Sequence, residues 1–514
     1  MPAGRTVSVE SRSPFPWISS IAWVASLASL GLLLVVPPAA RAEEPSGLQA
    51  ALALEQVLEK AIASAERSVV SIARVRKGEG QQAIGFAQPF GPPVINQNEN
   101  DRTPLNPNFI PNEFATGVVV DASGLVLTNF HVTDRDSCDH YVTTSERKVF
   151  KTEVIAGDAR CDLAILRVVE KPTPTDFVPM KLGNAKTLKK GQIVITLGNP
   201  YAIARDGQVC ASWGIVSNLA RKVARRRSVR EDPEMLHELG TLIQTDAKLN
   251  LGTSGGALIN LRGEMVGLTT SLAAVSGYEQ PAGYAIPIDD TFLRIINTLK
   301  AGREVEYGFL GIYPENLLAE QIRGGRTGIR VGQVRPATPA RRAGLLEGDV
   351  ITHVNGDPVH DTSDLRLHVG KLPAAATVNL TVDRAGEVGV AQVHLAKFSV
   401  NSNPKVPRVV TIKDPAWRGL RVDFPSSVLG PDQLNESCDG AVAVAEVEPE
   451  SPAYEAGLRS SMLITHVGTT PLDTRDDFRR EVAGRKGPIE LTVVGQAGEH
   501  YTITVPETVA PKKK

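Results

Sequence analysis

The sequence predicts a mainly β chain of several domains, and three observations predict it. Gly117–Val132, GVVVDASGLVLTNFHV, alternates apolar and polar residues like a β-hairpin, with Ala122-Ser123-Gly124 at its turn. Thr241–Gly267, TLIQTDAKLNLGTSGGALINLRGEMVG, sets Gly252-Thr253-Ser254-Gly255-Gly256 between two apolar runs of strand type. Thr338–Val359 and Ser451–Leu472 share an AGL-turn-ITHV pattern at an offset of 113 residues (451−338), which marks a duplicated unit of about 95 residues. At 514 residues the chain exceeds one core, and about 150 residues per domain divides it into three or four units.

Composition narrows the function classes. With 42% hydrophobic and 22% charged residues the chain reads as globular and not as disordered. A formal net charge of -1 gives no overall basic excess of the kind that marks nucleic-acid binders. The four cysteines, Cys138, Cys161, Cys210 and Cys438, contain no CxxC pair for zinc or redox work. A Cys138–Cys161 bridge and free or buried thiols are both compatible with their spacing. No metal or organic cofactor is expected.

In chain order, Arg5 and Arg12 precede the apolar run Trp17–Val36, which is followed by PPAARA and Glu43-Glu44. This is the pattern of a secretory signal over residues 1–42, with cleavage after Ala40-Arg41-Ala42. The run is also just long enough to span a bilayer, so an uncleaved anchor is the alternative. Cleavage removes Arg5, Arg12, Arg41 and Glu10, a segment charge of +2, and leaves the mature chain at -3 (-1 less +2). Within 43–67, Leu54, Val57, Leu58, Ala61, Ile62 and Ala65 recur at helical steps. Ser68–Val75 reads as a strand, and residues 80–113, rich in Gln, Asn, Pro and Phe, as a long inserted loop.

Glycines around Ser254 permit backbone conformations in which successive N–H groups point at one spot beside the hydroxyl, the makings of an oxyanion hole. A bare GxSGG is equally a glycine-rich hairpin with a bystander serine, so the decision rests on a base and an orienting carboxylate. His131 at a strand end is, by itself, a structural hydrogen-bonder, and Asp162 at a strand entrance a turn residue. Together they stand in the order His131, Asp162, Ser254, at spacings of 31 and 92 residues (162−131 and 254−162). That is the order of chymotrypsin-type double β-barrel proteases and not of subtilisins or α/β-hydrolases.

TNFHV around His131, CDLAIL around Asp162, Ile195–Arg221, QTDAKLNLGTSGGALINLRGEMVGL around Ser254 and YAIPIDD (Tyr284–Asp290) together resemble the HtrA/DegP family of exported serine proteases. The resemblance runs from about Leu54 to the C-terminus. It implies a chymotrypsin-like double six-stranded β-barrel over 68–302, a PDZ domain over 305–400, a proline-rich linker over 401–415 and a divergent PDZ-like domain over 416–508. In the first PDZ unit Phe309, Leu310, Gly311 and Ile312 are the expected peptide-carboxylate loop. The second has Arg459-Ser460-Ser461-Met462 where the first has Leu346-Glu347-Gly348-Asp349, and Gly419-Leu420-Arg421-Val422 as its loop. That departure leaves its peptide binding open, with assistance in assembly as the other reading.

The expected chemistry is attack by Ser254, proton transfer by His131 and orientation of the imidazole by Asp162, with the N–H groups of Gly252 and Ser254 facing the oxyanion. The family's preference for small aliphatic residues before the cut suits pocket walls made by Leu249 and by Thr269, Thr270, Ser271 and Leu272. Lys248 either points into that pocket or extends to solvent, the second being the expectation. The basic run Arg221–Arg230 reads as a solvated loop, and its place in the family adds a role in activation. The family further implies a homotrimer or larger cage, unfolded or misassembled envelope polypeptides as substrates, and activation by C-terminal peptides. The competing readings are a catalytically silent PDZ holdase and an anchored sensor protease that cuts one partner.

Overall fold

The computed structural model describes residues 47–76, 113–133, 138–199, 207–222, 236, 240–250, 252–270, 282–399, 409–495 and 498–508. The signal or anchor segment, the inserted loop over 80–112, most of the basic run, Ser271 and Leu272 lie outside the described residues. Leu54–Lys514 forms one unit and Met1–Ala53 another. Among the described residues no helix is long and apolar enough to cross a membrane.

Helix α1 (Gly47–Ala65) carries Ala61 and Ala65 buried near its end, where Ala61 O and Ser64 Oγ stand over Gly263, too close for any Cβ there. Six antiparallel strands follow: β1 (Val69–Arg76), β2 (Glu113–Asp121), β3 (Leu125–Thr128), β4 (Cys138–Thr143), β5 (Val149–Asp158) and β6 (Leu163–Val168). Their order is β5-β4-β1-β2-β3-β6, and pairing of β5 with β6 closes the barrel. Six more, β7 (Ile193–Gly198), β8 (Cys210–Arg221), β9 (Leu242–Thr245), β10 (Ala257–Ile259), β11 (Met265–Thr270) and β12 (Gly283–Pro287), close a second barrel in the order β10-β11-β12-β9-β8-β7. Closure pairs both edges of the second sheet, and β5 of the first keeps one stretch of edge free for a further strand.

Val118, Leu127, Ile165, Ile195, Leu197, Ala257 and Leu268 are fully or almost fully buried in one continuous core that spans the two barrels. Helix α2 (Asp290–Lys300) seals that core with Phe292, Ile295, Ile296 and Leu299 at helical spacing. Each such side chain contributes about 1.5–3 kcal/mol on burial. Asp289 caps the helix by accepting the Phe292 N–H at 3.0 Å.

The first PDZ unit contains β13 (Gly308–Phe309), β14 (Ile312–Asn316), α3 (Ala319–Arg323), β15 (Ile329–Val334), α4 (Pro339–Arg342), β16 (Val350–Val354), β17 (Asp357–Pro358), α5 (Thr362–Gly370), β18 (Thr377–Arg384), β19 (Glu387–His394) and β20 (Ala396–Lys397). Its main sheet runs β14-β15-β16-β18-β19, so β14 is an edge strand. The connecting segment is more than a linker: within 401–415, β21 (Val409–Val410) adds a strand to the first barrel against Ala156 and Gly157 of β5.

The second unit repeats the plan with β22 (Leu420–Asp423), α6 (Pro425–Val428), β23 (Val442–Val447), α7 (Pro452–Glu455), β24 (Leu463–Val467), β25 (Thr470–Pro471), α8 (Arg475–Val482), β26 (Ile489–Val494) and β27 (His500–Val505). The sequence repeat is a structural one. Thr338 and Ser451 each cap the following helix through a side-chain oxygen. Asp349 accepts the Leu346 N–H at 2.8 Å, and Met462 Sδ stands in its place beneath Arg459 N–H at 3.3 Å.

At the next equivalent pair, Gly348 takes φ +92° and Ser461 φ +72°, and each donates its N–H to a β-strand carbonyl at 2.8 Å. A side chain in this left-handed region costs about 1–2 kcal/mol. Ser461→Gly is therefore expected to stabilise the second unit by up to about 1 kcal/mol after the extra freedom of the unfolded glycine is deducted. A urea midpoint that falls would contradict that reading.

The two units meet at buried charge. Lys397, 3% exposed, lies 3.0 Å from Glu304, 3.4 Å from Glu306 and 2.5 Å from Asp423. Arg475 at the start of α8 pairs with Glu306 and, at 3.3 Å, with Asp423. Such a cluster tolerates burial because Lys397, Arg475, Glu306 and Asp423 each have more than one partner of opposite charge.

Candidate active site

Two loops bring His131 and Asp162 together, and a third carries Ser254 on a turn held against the same barrel. His131 lies in a 3₁₀ turn, Phe130–Val132, directly after β3. Its Nδ1 is 3.0 Å from both carboxylate oxygens of Asp162, and its backbone N–H donates to Asp162 Oδ1 at 3.1 Å. Asp162 is 1% exposed and opens β6 with φ +53°, a left-handed conformation held by its surroundings. Its carbonyl accepts the Phe130 N–H at 3.1 Å and Asn129 Nδ2 at 3.1 Å. Asp162 is thus held both at its backbone carbonyl and at its carboxylate, and the carboxylate selects the histidine tautomer with the proton on Nδ1 and the free lone pair on Nε2.

Burial draws the His131 pKa down, the charge and hydrogen bonding of Asp162 draw it up by more, and Arg74 on β1 lowers it slightly. The net position is above the ordinary histidine value.

Ser254 is buried in a turn tied to the first barrel. Its carbonyl accepts the Thr116 N–H at 2.9 Å, and Thr116 Oγ1 donates to Gly252 O at 2.7 Å. Gly255, at φ +83°, sits where a Cβ would come 2.1 Å from Thr116 O and 2.3 Å from Thr128 Oγ1, three residues before His131. No side chain fits there, which is why the motif needs this glycine. Gly252 is also left-handed, at φ +94°.

The loop is braced from within. Thr253 N–H donates to Asn250 O at 3.1 Å, Gly255 N–H to Thr269 O at 2.9 Å and Gly256 N–H to Thr253 O at 3.0 Å. Thr269 Oγ1 donates to Thr253 O at 2.6 Å.

Of the expected pocket residues, Thr269 and Thr270 are buried and Leu249 is half-buried against Gly283. Lys248 is exposed, while its backbone is pinned by Ser212 Oγ at 3.2 Å and Thr196 Oγ1 at 3.3 Å. Lys248→Ala is accordingly expected to leave the cleavage-site profile of an unfolded substrate unchanged. A gain of basic residues before the cut would place the ammonium in the pocket instead.

In the first PDZ unit Phe309 and Leu310 are buried, Gly311 takes φ +90° against Thr338, and Ile312 opens the edge strand β14. In the second unit Leu420 N–H turns back to Trp417 O at 2.8 Å, and Arg418 Nη atoms bind Val505 O and Gly487 O at 2.7 Å each.

All four cysteines are free thiols, three of them buried, so the Cys138–Cys161 bridge is not formed. Burial pushes the Cys161 thiol well up. Among the described residues no cluster could hold a metal ion.

Thr116, Asn129 and Asn199 were not singled out by sequence reasoning. Asn199 N–H donates to Thr116 Oγ1 at 2.9 Å, and its Nδ2 donates to Ser71 at 2.9 Å, so it supports the serine turn from behind. Asn129 lies two residues before His131 and Asn199 within Ile195–Arg221, and neither residue type carries a signal of its own there.

The descriptions "Trypsin-like peptidase domain" and "PDZ domain" match residues 115–268 and 308–395. A probable periplasmic serine endoprotease, DegP-like, of Pseudomonas fluorescens is 31% identical over 71% of this chain and 72% of that protein. The chain belongs to the HtrA/DegP family. It is a serine endoprotease of that family, with a trypsin-like peptidase domain and a PDZ domain. Periplasmic serine endoprotease DegP of Salmonella typhimurium is 29% identical over 74% of this chain and 73% of that protein. The solved structure titled HtrA-type protease AlgW with tripeptide is 24% identical, with a TM-score of 0.48 over 66% of this chain and 96% of that one.

Proposed function

We propose that this HtrA/DegP-family member is an exported, ATP-independent endopeptidase that cuts unfolded envelope polypeptides with Ser254, His131 and Asp162. The observation that carries the assignment is the two-oxygen hold of Asp162 on His131 Nδ1 at 3.0 Å. With Nδ1 carrying the proton, Nε2 takes the proton of Ser254 Oγ as it attacks the scissile carbonyl and returns it to the leaving amine. The imidazolium formed at that moment is favoured by the buried Asp162 charge. The N–H groups of Gly252 and Ser254 receive the oxyanion, at about 3 kcal/mol per donor.

Peptide regulation belongs to the first PDZ unit. Edge strand β14 and the flanking α5 offer the geometry for an added peptide strand, and the N–H groups of Leu310 and Gly311 meet no acceptor among the described residues. The second unit, in which the Leu420 N–H is turned back to Trp417 O, is assigned to assembly. The names of the relatives support a periplasmic site of action.

The test is degradation of an unfolded model protein by the mature chain, with and without a hydrophobic C-terminal peptide, beside Ser254→Ala. Loss in the variant and stimulation by peptide are expected. Absence of cleavage in every condition, with aggregation of the model protein still suppressed, would replace this reading by the silent holdase.

A further inference from the structure

One buried side chain joins the loop of Asp162 to the first PDZ unit. Arg160 lies two residues before Asp162, in the turn from β5 into β6, and is 4% exposed. The turn is closely tied: Asp158 Oδ1 accepts the N–H of Arg160 at 2.8 Å and of Cys161 at 3.3 Å, and the Asp162 N–H reaches Ala159 O at 3.4 Å. Leu236, six residues beyond the basic run (236−230), is fastened to the same place, since its N–H donates to Arg160 O at 2.9 Å.

The Arg160 side chain leaves this turn for the neighbouring domain. Its guanidinium carbon is 4.5 Å from the Tyr307 ring centroid and 4.6 Å from that of Phe398. These rings come from the two ends of the PDZ unit, which are joined where Phe398 N–H donates to Tyr307 O at 2.7 Å. A third side is closed by α5, because a Cβ on Gly370 would stand 2.8 Å from Arg160 Nη2. Tyr307 runs through Gly308 into Phe309, whose ring is 6.3 Å from Phe398. The clamp on Arg160 is therefore continuous with both walls of the groove along β14, the Phe309–Ile312 loop and α5.

We propose that Arg160 is a positioning residue for Asp162: the Tyr307 and Phe398 rings set the guanidinium, the guanidinium sets the turn 158–162, and the turn sets the carboxylate that orients His131. A planar cation between two rings resists displacement in a way a flexible ammonium would not. Peptide seated along β14 acts on the clamp through Phe309 and α5, and the catalytic carboxylate registers it. The inference rests on the triad and the peptide groove proposed above.

The test uses the full mature chain and the variants Arg160→Ala, Tyr307→Leu and Tyr307→Phe. For each, kcat and KM on an unfolded substrate are measured with and without hydrophobic C-terminal peptide, together with peptide Kd, thermal midpoint and the pH profile of kcat/KM. Tyr307→Phe keeps the ring and is expected to match the parent. Arg160→Ala and Tyr307→Leu are expected to lose about tenfold or more in kcat with KM and peptide Kd within about twofold, and to lose stimulation by peptide. Their acid limb moves to lower pH as Asp162 loosens its hold on His131, a change that weakened domain cement would not produce. A folded Arg160→Ala or Tyr307→Leu chain with parental kcat, stimulation and acid limb would overturn the proposal, as would losses confined to KM or to the folded fraction. A parent without Ser254-dependent cleavage would defeat the proposed function first and this inference with it, whereas a cleaving parent indifferent to both substitutions would defeat this inference alone.

Discussion

Ser254→Ala is expected to lower kcat on an unfolded substrate by about 10⁶-fold, the loss seen when a triad serine is removed from a protease with its other parts in place. The fold should not notice. Thr116 holds Ser254 through the main-chain carbonyl, which alanine retains, and the left-handed turns are carried by Gly252 and Gly255. Stability is expected to stay within about 0.5 kcal/mol, so loss of cleavage with an unchanged melting curve is the combined readout. Residual turnover above water, from oxyanion donors and substrate binding, would remain at about 10³–10⁴-fold.

Asp162→Asn is expected to cost about 10⁴-fold in kcat and to change the pH profile as well. Asparagine can present an N–H to Nδ1, which moves the imidazole proton to Nε2, the nitrogen that must be free. The backbone anchors survive, since Phe130 N–H and Asn129 Nδ2 bind the carbonyl of residue 162 and not its carboxylate. Burial lowers the His131 pKa and the Asp162 charge and hydrogen bonds raise it by more. Only neutral His131 serves as base, so activity appears as pH rises through that raised value. Removing the charge leaves burial unopposed and shifts the acid limb of kcat/KM to lower pH while the plateau falls. The same pair supports the fold through the protonated ring: that contribution is full below the unfolded histidine pKa and is lost as pH rises through the raised folded one. An acid limb that stays in place, or moves up, would mean that Asp162 does not govern His131.

Much of this was legible in the sequence because the chemistry is carried by local patterns. GVVVDASGLVLTNFHV became β2, a turn and β3, followed by the turn that bears His131, and GTSGG became the strained turn whose Gly255 admits no side chain. The duplication read from ITHV reappears as β16 and β24, down to equivalent helix caps. What stayed hidden depends on contacts between distant segments. Nothing in GDARCD distinguishes Arg160 as the residue that leaves its own barrel to lie between Tyr307 and Phe398, because a lone arginine in a turn is ordinarily solvated. Val409–Val410 is too short to show strand periodicity among prolines, and only its partner β5 makes it a strand. Thr116 acts through hydrogen bonds to Gly252 and Ser254, more than a hundred residues away in sequence.

Covalent labelling reads out whether Ser254 is a nucleophile activated by His131. The mature chain, with C-terminal peptide present, is treated with a fluorophosphonate, and the adduct is located by peptide mass spectrometry in the parent, His131→Ala and Ser254→Ala. A single adduct on Ser254, lost in Ser254→Ala and strongly slowed in His131→Ala, is predicted. Labelling at another serine, or equal labelling of Ser254 without His131, would contradict it.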